Sequence, residues 1–219
     1  MKRIAFALII YALSGASNAW AQLSSVSNYE AALQMVRNAE YVKALKTFKQ
    51  LAKQGHAPSE FSIGLIYHFG RGVPKNLKLA YAWYKKALLK DHSPALNNVG
   101  MMYSIGDYVV QDRDVAFRLF KRASIKHAHA MDNLGRCYEN GWGTPRNINR
   151  ALEMYTLAGD NGYILGWHHV GQIYEKGYPG TPKNVDTAVE WYIKAAERKL
   201  KKSRNRLNRL GRLPTRLAE

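Results

Sequence analysis

Glycine recurs at Gly64, Gly100, Gly135 and Gly171, at intervals of 36, 35 and 36 residues. Each is followed three residues later by a tyrosine (Tyr67, Tyr103, Tyr138, Tyr174), and three further on by a second glycine (Gly70, Gly106, Gly141, Gly177). The same beat carries Ala80, Ala116, Ala151 and Ala188, then Tyr84, Phe120, Tyr155 and Tyr192, then Ala87, Ala123, Ala158 and Ala195. A period of this length constrains a chain more than its composition does. Each unit is one supersecondary element that cannot bury its apolar face alone and must stack on its neighbours.

The spacing within a unit predicts its shape. Glycine and tyrosine three apart share one helix face, where the small residue admits a neighbouring helix at close range. Alanine, aromatic and alanine at offsets of four and three form a second amphipathic stripe. Between them stand the turns GRGVPKN (Gly70 to Asn76), GWGTPRN (Gly141 to Asn147) and GYPGTPKN (Gly177 to Asn184). Glycine ends the first helix in a left-handed conformation and proline blocks its continuation. The second unit departs from this with GDYVVQD (Gly106 to Asp112), and the last turn carries one extra residue. A shorter unit precedes the four. Ser27 and Glu30 form a capping-box pattern expected to open a helix, a tight turn follows at Asn38, Ala39 and Glu40, and Ala44 and Phe48 lie 36 residues before Ala80 and Tyr84.

Segments such as IGLIYHFGRGVPKN with AYAWYKKA, and VGQIYEKGYPGTPKN with AVEWYIKA, resemble the Sel-1-like repeat family, a relative of the tetratricopeptide repeats. The resemblance implies an all-α, right-handed solenoid of stacked helix-turn-helix units, with a tetratricopeptide-like hairpin over 22–56 and four repeats over 57–92, 93–127, 128–163 and 164–197. Residues 198–219 follow as a basic cap or tail. For function the resemblance implies a protein-binding scaffold rather than an enzyme, without cofactor or metal. A cysteine-rich branch of the family has a disulfide in each repeat, whereas this chain has one cysteine.

The N-terminus reads Met1-Lys2-Arg3, then an apolar run from Ile4 to Leu13, then Ala19-x-Ala21. This order is that of a secretory signal, with cleavage expected after Ala21. Ten apolar residues fall short of the ~20 that a membrane-spanning helix needs. No cysteine stands at the cleavage point, so a lipoprotein is not expected. The expected product is exported into a bacterial periplasm.

Export changes the meaning of the charge. The formal charge of +17 would point to nucleic acid, but loss of Lys2 and Arg3 brings it near +15, and an exported protein does not meet DNA or RNA. An acidic protein or extended peptide, an anionic lipid or a cell-wall polymer are the partners left. Much of the excess is local. Arg198, Lys199, Lys201, Lys202, Arg204, Arg206, Arg209, Arg212 and Arg216 occur with no acidic residue among them. Leu200, Leu207, Leu210, Leu213 and Leu217 fall near helical spacing in the same stretch. Two readings stand: a capping helix whose leucines cover the last repeat, or a basic amphipathic segment that contacts an anionic surface or acidic protein.

Candidate chemistry is sparse. Cys137 aligns with Ile66, Met102 and Ile173, an apolar register position where a free thiol packs as a small hydrophobe. His127 with His129, and His168 with His169, could ligate a metal, but adjacent histidines on one helix diverge by about 100°. No catalytic residue is assigned, and a hydrolase resting on Cys137 or His168 is the least supported reading. Groove positions carried over from the tetratricopeptide relatives give Phe61, Asn97, Asp132 and His168, with Met101, Arg136 and Gln172 and then Glu139 and Glu175 one helical turn on. Such a lining suits an extended or helical peptide, bound by an adaptor or by an inhibitor or immunity protein.

Overall fold

The computed structural model describes residues 24–217. The signal-peptide reading of residues 1–21 lies outside them. The regular structure among the described residues is helical, apart from a lone antiparallel bridge between Tyr178 and Thr181. The chain divides into two compact units, Met1–Lys90 and Asp91–Glu219.

In the first unit, α1 (residues 24–37) pairs with α2 (Tyr41–Lys53), and α3 (Ala57–Phe69) with α4 (Leu77–Leu88). The tight turn expected at Asn38–Glu40 is present, with Ala39 at φ 61°. The expected helix start at Ser27 is not: the chain is already helical at Ser24, so Ser27 and Glu30 are exposed positions inside α1. A capping-box pattern is local, and it carries no information on whether a helix has begun upstream. Ala32, Ala44, Phe48 and Ile63 are fully buried together at the centre of this unit.

In the second unit the hairpins are α5 (Ser93–Ile105) with α6 (Arg113–Ala123), α7 (Ala128–Asn140) with α8 (Ile148–Asp160), and α9 (Leu165–Lys176) with α10 (Val185–Glu197). A further helix, α11 (Lys201–Arg209), and a 3-10 turn at Thr215–Leu217 complete it. The repeating alanines and the aromatics Phe120, Tyr155 and Tyr192 are buried. Each such aromatic contributes about 1.5–3 kcal/mol through the apolar surface removed from water.

The anchor glycine and the aromatic of the same hairpin explain each other. A Cβ built on Gly135 would lie 2.7 Å from the Tyr155 ring, and one on Gly171 2.6 Å from the Tyr192 ring. Only hydrogen fits where the ring of the second helix lies against the first.

The four repeat turns close with the same two bonds. Asn147 N–H donates to the Tyr138 carbonyl at 2.8 Å, while its side chain caps α8 by accepting from Arg150 N–H at 2.9 Å. Asn76 does the same with Tyr67 and Leu79, Asp112 with Tyr103 and Val115, and Asn184 with Tyr174 and Thr187. This closure is why the divergent GDYVVQD turn still makes a hairpin. Its Tyr108 adopts φ 68°, the value that Gly143 has at the matching position. The extra residue of the last turn is absorbed by paired Tyr178 and Thr181, with Gly180 at φ 80° after Pro179.

Candidate protein-binding groove

Within the Asp91–Glu219 unit, α5, α7, α9 and α11 present one face to a cavity of about 550 Å³. Asn97, Met101, Asp132, Arg136, Glu139 and Gln172, all expected as groove residues, line it together. His168, Gln172 and Glu175 line an adjoining cavity of about 520 Å³ with Lys202, Arg206 and Arg209 of the basic segment. Phe61 belongs to the other unit, where its ring packs 5.6 Å from that of Tyr84.

Asn97, Asp132 and His168 sit three residues before their anchor glycines and are almost buried. Each binds the following first helix. Asn133 Nδ2 donates to Asn97 Oδ1 at 2.9 Å, and His169 Nδ1–H donates to Asp132 Oδ1 at 2.7 Å. His168 Nδ1 and Ser203 Oγ are 2.9 Å apart. These three rungs repeat at separations of 36, 37 and 35 residues. Buried polar groups require such partners, because an unmade bond costs about 1–3 kcal/mol. The rungs therefore align successive hairpins and also floor the groove. Sequence reasoning missed Asn133 and Ser203 and weighed His169 only as a metal ligand, although each lies one place after or at the predicted register.

One turn further along, the groove carboxylates are also held internally. Tyr155 donates its hydroxyl to Glu139 at 2.7 Å, and Tyr178 donates to the other oxygen at 2.5 Å. Glu175 accepts from the Tyr192 hydroxyl at 2.7 Å and from Arg206 Nε at 2.8 Å. Burial first, and then Glu139, push the Tyr155 hydroxyl far above the ordinary tyrosine range, so it stays a donor.

The cations are less committed. Arg136 lies over the Trp142 ring at 5.9 Å, and among the described residues neither Arg136 nor Lys202 takes part in an ion pair. Asp132 is bonded to His169 and Glu139 to two tyrosines, so the carboxylates of the lining keep their charge but have their hydrogen-bonding capacity taken up within the chain, whereas the two cations do not.

The chemically suggestive residues have structural surroundings. Cys137 is 2% exposed, and burial pushes its thiol up to about 12, the opposite of what a nucleophile needs. His127 precedes α7 with its ring 5.2 Å from that of His129, which in turn packs on Tyr163 at 4.2 Å. Among the described residues, no group of three or more His, Cys, Asp or Glu side chains is placed to hold a metal ion.

Residues 198–217 fold back on the last hairpin. Leu207 is fully buried with Ala188, Tyr192 and Ala196, and Leu210, Leu213 and Leu217 pack around them. Arg212 binds Asp186 and Arg216 binds Glu197, each at 2.8 Å, and Arg206 pairs with Glu175. Arg198, Lys199, Lys201, Lys202, Arg204 and Arg209 make no ion pair among the described residues. No helix among the described residues is long and apolar enough to cross a membrane.

The Sel1 repeat model matches residues 57–92, 93–126, 128–163 and 166–200. A protective antigen of uropathogenic Escherichia coli with an SLR fold is similar at 28% identity and a TM-score of 0.70, over 78% of this chain. The chain spans 37% of that antigen's length. A Sel1 repeat protein from Oxalobacter formigenes superposes with a TM-score of 0.77 at 22% identity, over 89% of this chain and 82% of that one, a likeness of fold. No curated protein sequence matches the chain.

Proposed function

Because the chain belongs to the Sel1 repeat family, whose repeats mediate protein–protein contacts, we propose that it is a non-enzymatic scaffold that holds a peptide segment of a partner in the α5–α7–α9–α11 groove. The supporting observation is a difference in engagement: the carboxylates Asp132 and Glu139 already accept hydrogen bonds from within the chain, whereas Arg136 and Lys202 are in no ion pair among the described residues. An extended segment whose carboxylates reach Arg136 and Lys202 fits these two uncommitted cations, while its backbone runs past the bonded carboxylates. In this reading the chain is exported after cleavage at Ala21 and serves in the periplasm, as an adaptor or as an inhibitor or immunity protein. Affinity capture from periplasmic extract, with the wild-type chain and an Arg136→Glu/Lys202→Glu variant, tests it. An acidic partner held by the first and lost by the second is expected. Equal recovery by both rejects the groove.

A second reading has its own observation, the six cations of the C-terminal segment that make no ion pair among the described residues. They suit an anionic envelope surface, lipid or cell-wall polymer. Sedimentation with vesicles that contain or lack phosphatidylglycerol separates the two, since binding only to the anionic vesicles favours this reading.

A further inference from the structure

A second cleft, of about 700 Å³, lies between α6 and α8 and shares no lining residue with the groove. Arg118, Lys121 and Arg122 stand along one face of α6, and Arg150 faces them from α8. Glu153 is the lone carboxylate in the lining. Arg122 is bound to Asp91, with Nε 2.6 Å from Oδ1, and Arg150 contacts the Tyr138 hydroxyl at 3.3 Å. Among the described residues, the side chains of Arg118, Lys121 and Glu153 make neither an ion pair nor a hydrogen bond. The floor is apolar, formed by Leu134, Tyr138 and Met154, and Ile125 stands at the rim with 75% of its surface exposed.

The fold does not demand this arrangement. The repeat requires Ala116, Phe120 and Ala123 of α6, which point into the core. On α8 the register counterparts of Arg118, Lys121, Arg122 and Ile125 are Glu153, Thr156, Leu157 and Asp160, so the basic face with its aliphatic rim is not a feature of every second helix.

We infer that the α6–α8 cleft is a second docking site, for an acidic protein segment that carries an apolar anchor. Charge complementarity selects the occupant. Carboxylates of the segment meet Arg118, Lys121 and Arg150, and one aliphatic or aromatic side chain sits on Leu134 and Met154 beside Ile125. Glu153, inside the same cleft, repels a continuous phosphate chain but accepts a donor from a peptide backbone or side chain. That favours a peptide over a polyanion. The faces of α6 and α8 run for about two helical turns, roughly 10 Å, enough for a short helix or for a few extended residues.

The test uses the full chain and a fluorescent 14-residue helical peptide with glutamates at i, i+3 and i+4 and leucine at i+7. A peptide with serine for leucine and vesicles of phosphatidylglycerol serve as the other probes. In a chain that already carries Arg136→Glu/Lys202→Glu, and so lacks the groove cations, binding of the leucine peptide is expected to weaken at least tenfold when Arg118→Glu/Lys121→Glu is added. The Ile125→Ser variant is expected to weaken the leucine peptide and not the serine peptide. NMR shift changes in wild type that include the facing sides of α6 and α8 locate the site without relying on a variant. Unaltered affinity when Arg118→Glu/Lys121→Glu is added, equal binding of both peptides, or stronger dependence of vesicle binding on these two cations overturns the inference.

Discussion

The Tyr155 hydroxyl donates to Glu139 Oε2 at 2.7 Å, joining the buried aromatic of α8 to the groove wall of α7. Tyr192 and Glu175 repeat the pair one hairpin later, whereas Phe120, which has no hydroxyl, has Ser104 at the carboxylate position. In these three hairpins hydroxyl and carboxylate occur together. Tyr155→Phe is expected to cost about 1.5–3 kcal/mol in urea unfolding, the range for a hydrogen bond to a charged group. In a double-mutant cycle with Glu139→Ser, which recreates the pair of the α5–α6 hairpin, the second substitution is expected to cost less when Tyr155→Phe is already present than alone.

Gly135→Ala sets helix propensity against packing. Alanine inside a helix gains about 1 kcal/mol over glycine, but overpacking costs about 1–3 kcal/mol. The Cβ would lie 2.7 Å from a ring that is 1% exposed and held at its hydroxyl by Glu139, so the ring cannot swing aside. Packing is expected to prevail, with a net loss of about 1–2 kcal/mol by chemical denaturation. A melting temperature at or above that of wild type rejects the account.

The helix-turn-helix repeat was legible because Gly135, Tyr138, Ala151 and Tyr155 have residue types fixed by steric fit, so they recur in register. The groove was legible in part for the same reason: Asn97, Asp132 and Gln172 occupy positions that the period assigns to one face. The rungs were not. Asn97 with Asn133, Asp132 with His169 and His168 with Ser203 solve one hydrogen-bonding need with different chemistry, and no composition pattern survives. The basic α6 face escaped notice because its residues alternate with the core positions that the repeat displays. In the charge run at 198–216 the leucine spacing already offered Leu207 as a covering residue, but the buried Ser203, one turn earlier, left no signal.

His168 is 8% exposed, and its pKa is lowered from 6.5 to about 4, chiefly by burial and then by His169, Lys202 and Arg206. The folded chain keeps this imidazole neutral while the unfolded chain protonates it near its ordinary pKa. Stability is therefore present in full above pH 6.5 and is lost as the pH falls toward 4. The loss attributable to this group is about 3 kcal/mol. Burial lowers His56 and His127 in the same direction, so part of the slope has other sources. His168→Gln is expected to flatten the dependence of unfolding free energy on pH between 4 and 6.5. An unaltered slope contradicts the assignment.

The Cys137 thiol, buried and pushed up to about 12, is expected to resist an aromatic disulfide reagent at about pH 8. In guanidinium chloride the same thiol is expected to react at once. Rapid labelling of the folded chain would show that its α7 position is open to solvent.

Leu207 separates the two readings of the C-terminal segment. Its side chain is fully buried against Ala188, Tyr192 and Ala196, so Leu207→Ala is expected to cost about 2–4 kcal/mol, as large-to-small changes in a packed core do. Lys201→Glu and Arg209→Glu alter exposed residues of α11 and are expected to change stability by less than about 0.5 kcal/mol. If both classes of variant leave the midpoint of unfolding in place, α11 is not a cap, and its leucines must serve a surface outside the chain. If only Leu207→Ala lowers the midpoint, the cap is structural, and any contact with an anionic partner belongs to the exposed cations. Partner binding by Lys201→Glu and Arg209→Glu, measured as a function of salt, then reports on that contact without disturbing the fold.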